Sequence, residues 1–237
     1  MRRHLRFAVP GNTPPIQTVH LLHDGFFRPN PGPHWFPIRG VQHFTVDPPG
    51  FDWRGRIRML PLLWIDARDS LAAGRGGMRI RLNSFFTLVN AHGPEIDQGA
   101  SARWLAEMVW FPTAFSSDRV AWEPIDGRSA RATLLVDGPP VSLIVEFDDE
   151  GRAARVRGPR YRAVKGGQSI LTPWSGTCAD YRNFSCIQAP SQIEVSWDLP
   201  EGQFTYARFR VTELKYEYEP PAKRPAGYPT NPHAAAG

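Results

Sequence analysis

Cysteine and lysine are nearly missing from this chain. Only Cys178 and Cys186 are present, with seven residues between them and no Cys-x-x-Cys partner, so the sequence holds neither a disulfide framework nor a thiolate metal site. In a reducing compartment both stay thiols, packed as small side chains near a turn. Three of the 28 cationic side chains are lysine (Lys165, Lys215 and Lys223) and the other 25 are arginine, a skew we read as coding base composition. Long apolar runs are lacking as well. Stretches such as Met59 to Ile65 and Leu134 to Val136 fall far short of the roughly 20 residues a membrane-spanning helix needs, which excludes a helical membrane span. Met1 to Pro10 is basic, but no apolar segment of ~7 to 15 residues follows it, so no secretory signal is expected and the cytoplasm is the default address.

Catalytic signatures are also wanting. Ser175 lacks the preceding Gly-x of a nucleophile elbow, and neither cysteine has a histidine nearby in sequence. Gly74-Arg75-Gly76-Gly77 matches neither phosphate-cradling pattern and reads as a tight turn between strands. His20 and His23 lie three apart, which is not zinc-peptidase spacing; on a strand they face opposite sides. His34 and His43 border the aromatic patch Trp35, Phe36 and Phe44 and read as packing groups. No cofactor and no metal site are expected. The net charge of +5 raises the question of nucleic acid, yet the only dense cationic stretch, Arg152 to Lys165, follows the turn-like Asp148-Asp149-Glu150-Gly151 and reads as a charged strand. With the remaining arginines scattered and acidic residues between them, no nucleic-acid partner is expected.

What the chain does have is a globular composition, with 41% hydrophobic and 22% charged residues in 237 positions, enough for one large domain. Seven prolines between Pro10 and Pro37 predict an extended N-terminal arm over 1–37 with one short strand near Val19 to Leu22. The domain proper is expected over 38–219, and five prolines from Pro220 to Pro232 predict a disordered tail over 220–237. Inside the domain the leading signal has period two. Ala132, Leu134 and Val136, then Val141, Leu143, Val145 and Phe147, alternate with residues of the other face, and turn clusters join them into a three-stranded meander over 130–158. Further strands are predicted over 55–61, 62–67, 78–82, 85–90, 193–198 and 205–218. One helix stands out near 101–111, with Trp104, Met108 and Phe111 on one side and Pro112 as its stop. The fold class is therefore mainly β: a curved antiparallel sheet, half-barrel or barrel-like in the manner of lipocalins and lipoprotein carriers, curled on one main helix.

The spaced motifs Arg103-Trp104-Leu105-Ala106-Glu107-Met108-Val109-Trp110-Phe111-Pro112-Thr113-Ala114, Trp122-Glu123-Pro124-Ile125-Asp126, Asp180-Tyr181-Arg182 and Glu194-Val195-Ser196-Trp197 resemble an uncharacterised, mainly bacterial family of unknown function. Phe51-Asp52-Trp53 and Gly74 to Met78 also look like that family, and the resemblance runs from about Arg39 to Tyr218. It implies no activity and lends no catalytic residue. One departure is visible, because Cys186 stands where the family usually has glycine; a turn needing positive φ there would be strained.

Arg103 and Glu107 are the sharpest chemical candidates, four apart on one helical face and set among tryptophans. In an apolar cavity Glu107 would have a raised pKa suited to proton transfer; paired with Arg103 it would stay ionised and anchor the helix. Twelve per cent of the chain is aromatic, and inward aromatics in a curled sheet either fill a core or line a pocket. The candidate ligand-binding set is Arg103, Trp104, Glu107, Trp110, Trp122, Trp174 and Tyr181, with Glu107 the candidate catalytic group. Two functions remain open: binding of an apolar or amphipathic small molecule, or cofactor-independent acid–base catalysis by an isomerase, cyclase or hydrolase.

Overall fold

The computed structural model describes residues 1–135, 140–164 and 168–220, so the predicted tail from Pro221 onward and part of the expected turn at Asp137 to Pro140 lie outside the described residues. Thirteen strands form one antiparallel sheet in the order β6-β5-β4-β3-β2-β1-β13-β12-β11-β10-β9-β8-β7. The first half is a meander of β1 (Ile16–Phe27), β2 (Phe36–Thr45), β3 (Gly50–Leu60), β4 (Leu63–Ala72), β5 (Arg75–Leu82) and β6 (Phe86–Ala91). The second is a meander of β7 (Val120–Pro124), β8 (Ser129–Leu134), β9 (Val141–Phe147), β10 (Ala153–Ala163), β11 (Ser169–Phe184), β12 (Ile187–Leu199) and β13 (Gly202–Tyr218). The halves meet where β1 pairs with β13, from Ile16 opposite Tyr218 to Phe27 opposite Ala207.

Because β6 and β7 are the two edges of the sheet and successive in sequence, the chain must cross from one edge to the other. It does so over the concave face, as helix α2 (Pro94–Glu107) followed by 3-10 turns at Met108–Trp110 and Pro112–Ser116. Pro94 opens the helix where its missing N–H is not needed, and Glu95 and Asp97 suit the positive end of the helix dipole. The second half of the crossing is covered on nearly all sides: Ala102, Trp104, Leu105, Met108, Phe111 and Phe115 are almost wholly buried. Trp110 Nε1 donates to the Pro190 carbonyl, Tyr216 Oη donates to the Trp110 carbonyl, and the Ile16 amide donates to Thr113 Oγ1, so the crossing is fastened to strands of both halves. The helix thus begins earlier than predicted and gives way to 3-10 geometry before Pro112, which disfavours α conformation in the residue preceding it.

The N-terminal region departs from the expected extended arm. Residues 2–8 form a helix, α1, whose His4 is fully buried, and β1 is a twelve-residue strand in the middle of the sheet. The prolines fall on its flanks, in the segments 9–15 and 28–35, so that β1 itself contains none. The short strand expected near Val19 to Leu22 lies inside β1, whereas β2, with Pro37 near its start, was not predicted. In β10 and β11 Pro159 lies opposite Pro173, where their other neighbours have already ended: β9 pairs no further than Arg157 and β12 no further than Trp174. No ladder donor is wanted at either proline. The predicted turn at Gly74 is present, with Ala73 and Gly74 both at positive φ.

The β11–β12 hairpin turns on Ser185 (φ 49°) and Cys186 (φ 71°), two left-handed residues in succession, neither of them glycine. That is the backbone of the two-residue turn whose twist matches antiparallel strands and which favours Asn-Gly. The strain expected at Cys186 is therefore real, and Cys186→Gly should raise the denaturant midpoint by an amount equivalent to about 1 kcal/mol. No gain in an equilibrium unfolding titration would contradict this.

Two buried histidines set a second expectation. His4 Nδ1 lies 3.0 Å from the Gly151 carbonyl oxygen, and His23, on the concave side of β1, accepts a hydrogen bond at Nε2 from Trp53 Nε1 at 2.9 Å. Burial pushes both imidazoles down from about 6.5 to about 4, at His4 against the Gly151 carbonyl and at His23 with help from Arg103. A depressed histidine pKa means that the unfolded chain takes up the proton first. Stability should be flat above pH ~7, then fall between pH ~6.5 and ~4 by up to about 3 kcal/mol per histidine, as urea midpoints across pH would record. His23→Gln should remove its share of the slope.

Candidate functional site

Between the concave faces of the two halves and α2 lies a cavity of about 440 Å³. From the first half come Ile38, Trp53, Ile57, Met59, Ile65 and Met78; from the second Val156, Trp174, Ile193, Val195, Tyr206 and Phe209; from the crossing Ala106, Val109 and Trp110. These are the inward positions of strands that alternate with polar outward residues, as period two requires. The cavity reaches the end of the sheet where β3 turns into β4, since Met59 and Ile65 line it there.

Its wall is made possible by two glycines opposite each other, Gly40 on β2 and Gly55 on β3. A Cβ on Gly55 would stand 2.4 Å from the Trp53 ring, and one on Gly40 2.2 Å from His23 Nε2. Their bareness lets the His23 and Trp53 rings lie parallel, 5° apart in plane, against the sheet.

On one side the polar lining is a connected network. Arg103 Nε donates to Glu107 Oε1 at 2.9 Å, Nη1 to Asp69 Oδ2 at 2.9 Å and Nη2 to Gln42 Oε1 at 3.1 Å, while Gln42 Nε2 donates to Glu107 Oε2 at 2.7 Å. The guanidinium also lies 4.8 Å from the Trp53 ring centre and 5.1 Å from that of Phe51. Burial opposes the charge of Arg103, but Glu107 and Asp69 outweigh it and hold the guanidinium above its ordinary value. At Glu107 burial wins over Arg103, Gln42 and Arg160, and the carboxyl is held above the usual carboxylate range. Both Glu107 oxygens nevertheless accept N–H bonds, so neither is bare toward the cavity. Across the cavity Arg160 lies over Trp174 at 4.9 Å and donates to the Gly99 carbonyl, and Trp174 Nε1 donates to Tyr206 Oη at 3.0 Å.

Of the residues proposed from sequence, Arg103, Glu107, Trp110 and Trp174 meet at the cavity. Three do not. Trp104 is fully buried between α2 and β2, where its Nε1 donates to the Thr45 carbonyl. Trp122 stacks on Phe115 and donates to that residue's carbonyl. Tyr181 donates to the Ala153 carbonyl and meets Phe7 edge-on, bracing α1. Each packs in filled interior away from the cavity wall, which helix and strand spacing alone did not reveal. The residues missed were His23, Gln42, Trp53, Asp69, Arg160 and Tyr206, all on strands whose long-range register is not local information. Cys178 also touches the cavity, its thiol pushed up to about 12 by burial, while Cys186 is exposed and both are free.

The network makes a double-mutant cycle informative. Arg103→Met alone should cost about 3 to 5 kcal/mol because it leaves two carboxylates without their shared cation, and Arg103→Met with Glu107→Leu should cost less than the sum of the single changes. Additive losses in denaturant titrations would show that the two side chains do not act together.

Curled on a helix across its concave face, the molecule is an antiparallel half-barrel, the class of fold expected from its alternating pattern. The chain belongs to a family of unknown function, DUF6544, whose model matches residues 1–209. No curated protein matches it. Among solved structures it is similar to a domain from Vibrio parahaemolyticus named for outer membrane lipoprotein sorting, at 10% identity and a TM-score of 0.45 over 85% of this chain and 86% of that one. It is also similar to a LolA superfamily protein from Nitrosomonas europaea, at 8% identity and a TM-score of 0.41 over 92% of both chains. A third is a beta-barrel-like protein of the DUF1849 domain family from Brucella abortus, at 11% identity and a TM-score of 0.30 over 86% of this chain and all of that one.

Proposed function

We propose that this protein binds an apolar or amphipathic small molecule inside its half-barrel. The observation that carries this reading is the cavity itself: aliphatic and aromatic walls, about 440 Å³, within the ~300 to 1,000 Å³ that small-molecule sites occupy, with charge limited to the Arg103–Glu107–Asp69 cluster on one side and Arg160 on the other. Arg103 spends its donors on Glu107, Asp69 and Gln42, so it offers a ligand a polar border rather than a free cation. Arg160 and Tyr206 supply the remaining polar contacts.

Acid–base catalysis by Glu107 is the second reading, favoured by the carboxyl's raised pKa in a desolvated site. Its two N–H bonds weigh against it. Native mass spectrometry of protein purified from its source should show a co-purifying apolar species, and Val195→Phe, which fills the cavity, should lose it. Retention of the species by a folded Val195→Phe variant would remove the cavity from consideration. With that species in hand, Glu107→Gln separates the two readings. Binding alone predicts a change of ~1 kcal/mol in affinity, and catalysis a fall in turnover of ~100-fold or more.

A further inference from the structure

The convex face of β2 to β5, opposite the cavity, carries an array of arginines. In one cross-strand row Arg39 faces Arg56, Arg56 faces Asp66, and Asp66 faces Arg81; in the next, Arg54 faces Arg68 and Arg68 faces Arg79. Directly opposed residues on one face of a sheet stand ~5 Å apart, and like charges so placed destabilise the sheet. Of three such arginine pairs, Arg54 and Arg68 share a carboxylate, whereas among the described residues Arg39–Arg56 and Arg68–Arg79 each include an arginine with none. Two aspartates on this face, Asp52 and Asp66, take up Arg54, Arg68 and Arg56. Among the described residues Arg39, Arg79 and Arg81 have no ion-pair partner, and Arg81 Nε is buried without a hydrogen bond. A groove of about 700 Å³ runs among these side chains. Six arginines against two aspartates leave this surface strongly positive.

The same strands end in an apolar tip. Leu60 and Leu62 at the β3–β4 turn are 61% and 83% exposed, and Phe85 and Phe86 at the β5–β6 turn are 83% and 69% exposed. The two turns are held side by side by Asn83, whose Oδ1 accepts from the Trp64 amide and whose Nδ2 donates to the Leu62 carbonyl. Arg58 and Arg81 sit just behind the tips. Exposed leucine and phenylalanine at the end of an arginine face match the boundary of an anionic bilayer, where apolar side chains enter the acyl region and guanidinium groups meet phosphates. A nucleic acid would satisfy the arginines but leave Leu60 and Leu62 in water. We infer that the β3–β4 and β5–β6 tips, together with the convex arginine array, dock this protein on an anionic lipid surface. The cavity reaches this same end through Met59 and Ile65, so a docked molecule would bring its apolar interior next to lipid.

Sedimentation of the full chain with vesicles tests this. Vesicles of phosphatidylcholine with about one third phosphatidylglycerol should bind the protein, more weakly as salt rises, and phosphatidylcholine alone should not. Arg39→Ser, Arg79→Ser and Arg81→Ser together should weaken partitioning ~100-fold, at ~1 kcal/mol for each lost cation. Leu62→Ser with Phe85→Ser, both at solvent-exposed positions, should weaken it by about tenfold or more without touching the array. Should the triple arginine variant fail to fold, the tip variant alone decides. Absence of binding to phosphatidylglycerol vesicles, equal binding to both vesicle types, or full binding by the tip variant overturns the inference. Salt-sensitive binding of duplex or single-stranded nucleic acid, lost in the arginine variant and kept in the tip variant, would replace the bilayer with a phosphate backbone. Array and tips lie outside the cavity, so vesicle binding and ligand binding can fail separately.

Discussion

Everything in this molecule depends on one crossing. The strands at the two edges of the sheet, β6 and β7, follow each other in sequence, and the chain between them has to traverse the concave face. Dragging backbone over an apolar surface is tolerable only if its hydrogen bonds close internally, and a helix followed by two 3-10 turns achieves that. Once there, the crossing divides the concavity. One side of it, with Trp104, Phe111 and Phe115, packs into solid core; the other, with Arg103, Ala106 and Glu107, forms one wall of the cavity.

That division explains the placement of the buried charge. Arg103 stands where filled core meets open cavity, joined to β4 through Asp69 and to β2 through Gln42. A buried ion network of this kind adds little net stability over well-packed hydrocarbon, but it penalises any other seating of the helix, since a shift by one turn would leave charges unpaired. Bare glycines at Gly40 and Gly55 do the complementary work on the sheet side by making room for the His23–Trp53 pair beneath the guanidinium.

How much of this was legible in the sequence depended on range. The β8–β9 meander was readable because Leu134, Val141, Leu143 and Val145 alternate without interruption. Proline shortened β1 and obscured β2 and β11: a dense count in the first 37 residues reduced a twelve-residue strand to a short one near Val19 to Leu22, and the sequence does not say that Pro159 and Pro173 would meet where no donor is needed. Arg103 and Glu107 were found together because i,i+4 spacing is local. Gln42, Asp69 and Arg160 were not, because their meeting depends on the register of strands far apart in sequence. The arginine array escaped for the same reason: spread over Arg39 to Arg81 it looks scattered, and only cross-strand register turns it into rows.

The seam between β1 and β13 has a consequence in time. Thr18 pairs with Glu217, so β1 waits through the intervening eleven strands for its partner β13. Until then each half is an open meander with an unpaired inner edge, and one of those edges carries the buried face of Val19 and Leu21. Pairing over such a span is slow, because loop closure precedes any reward from contact. While the segment between them is being made, that edge stays open, and a strand edge with an apolar face is prone to pair with other chains in the interval.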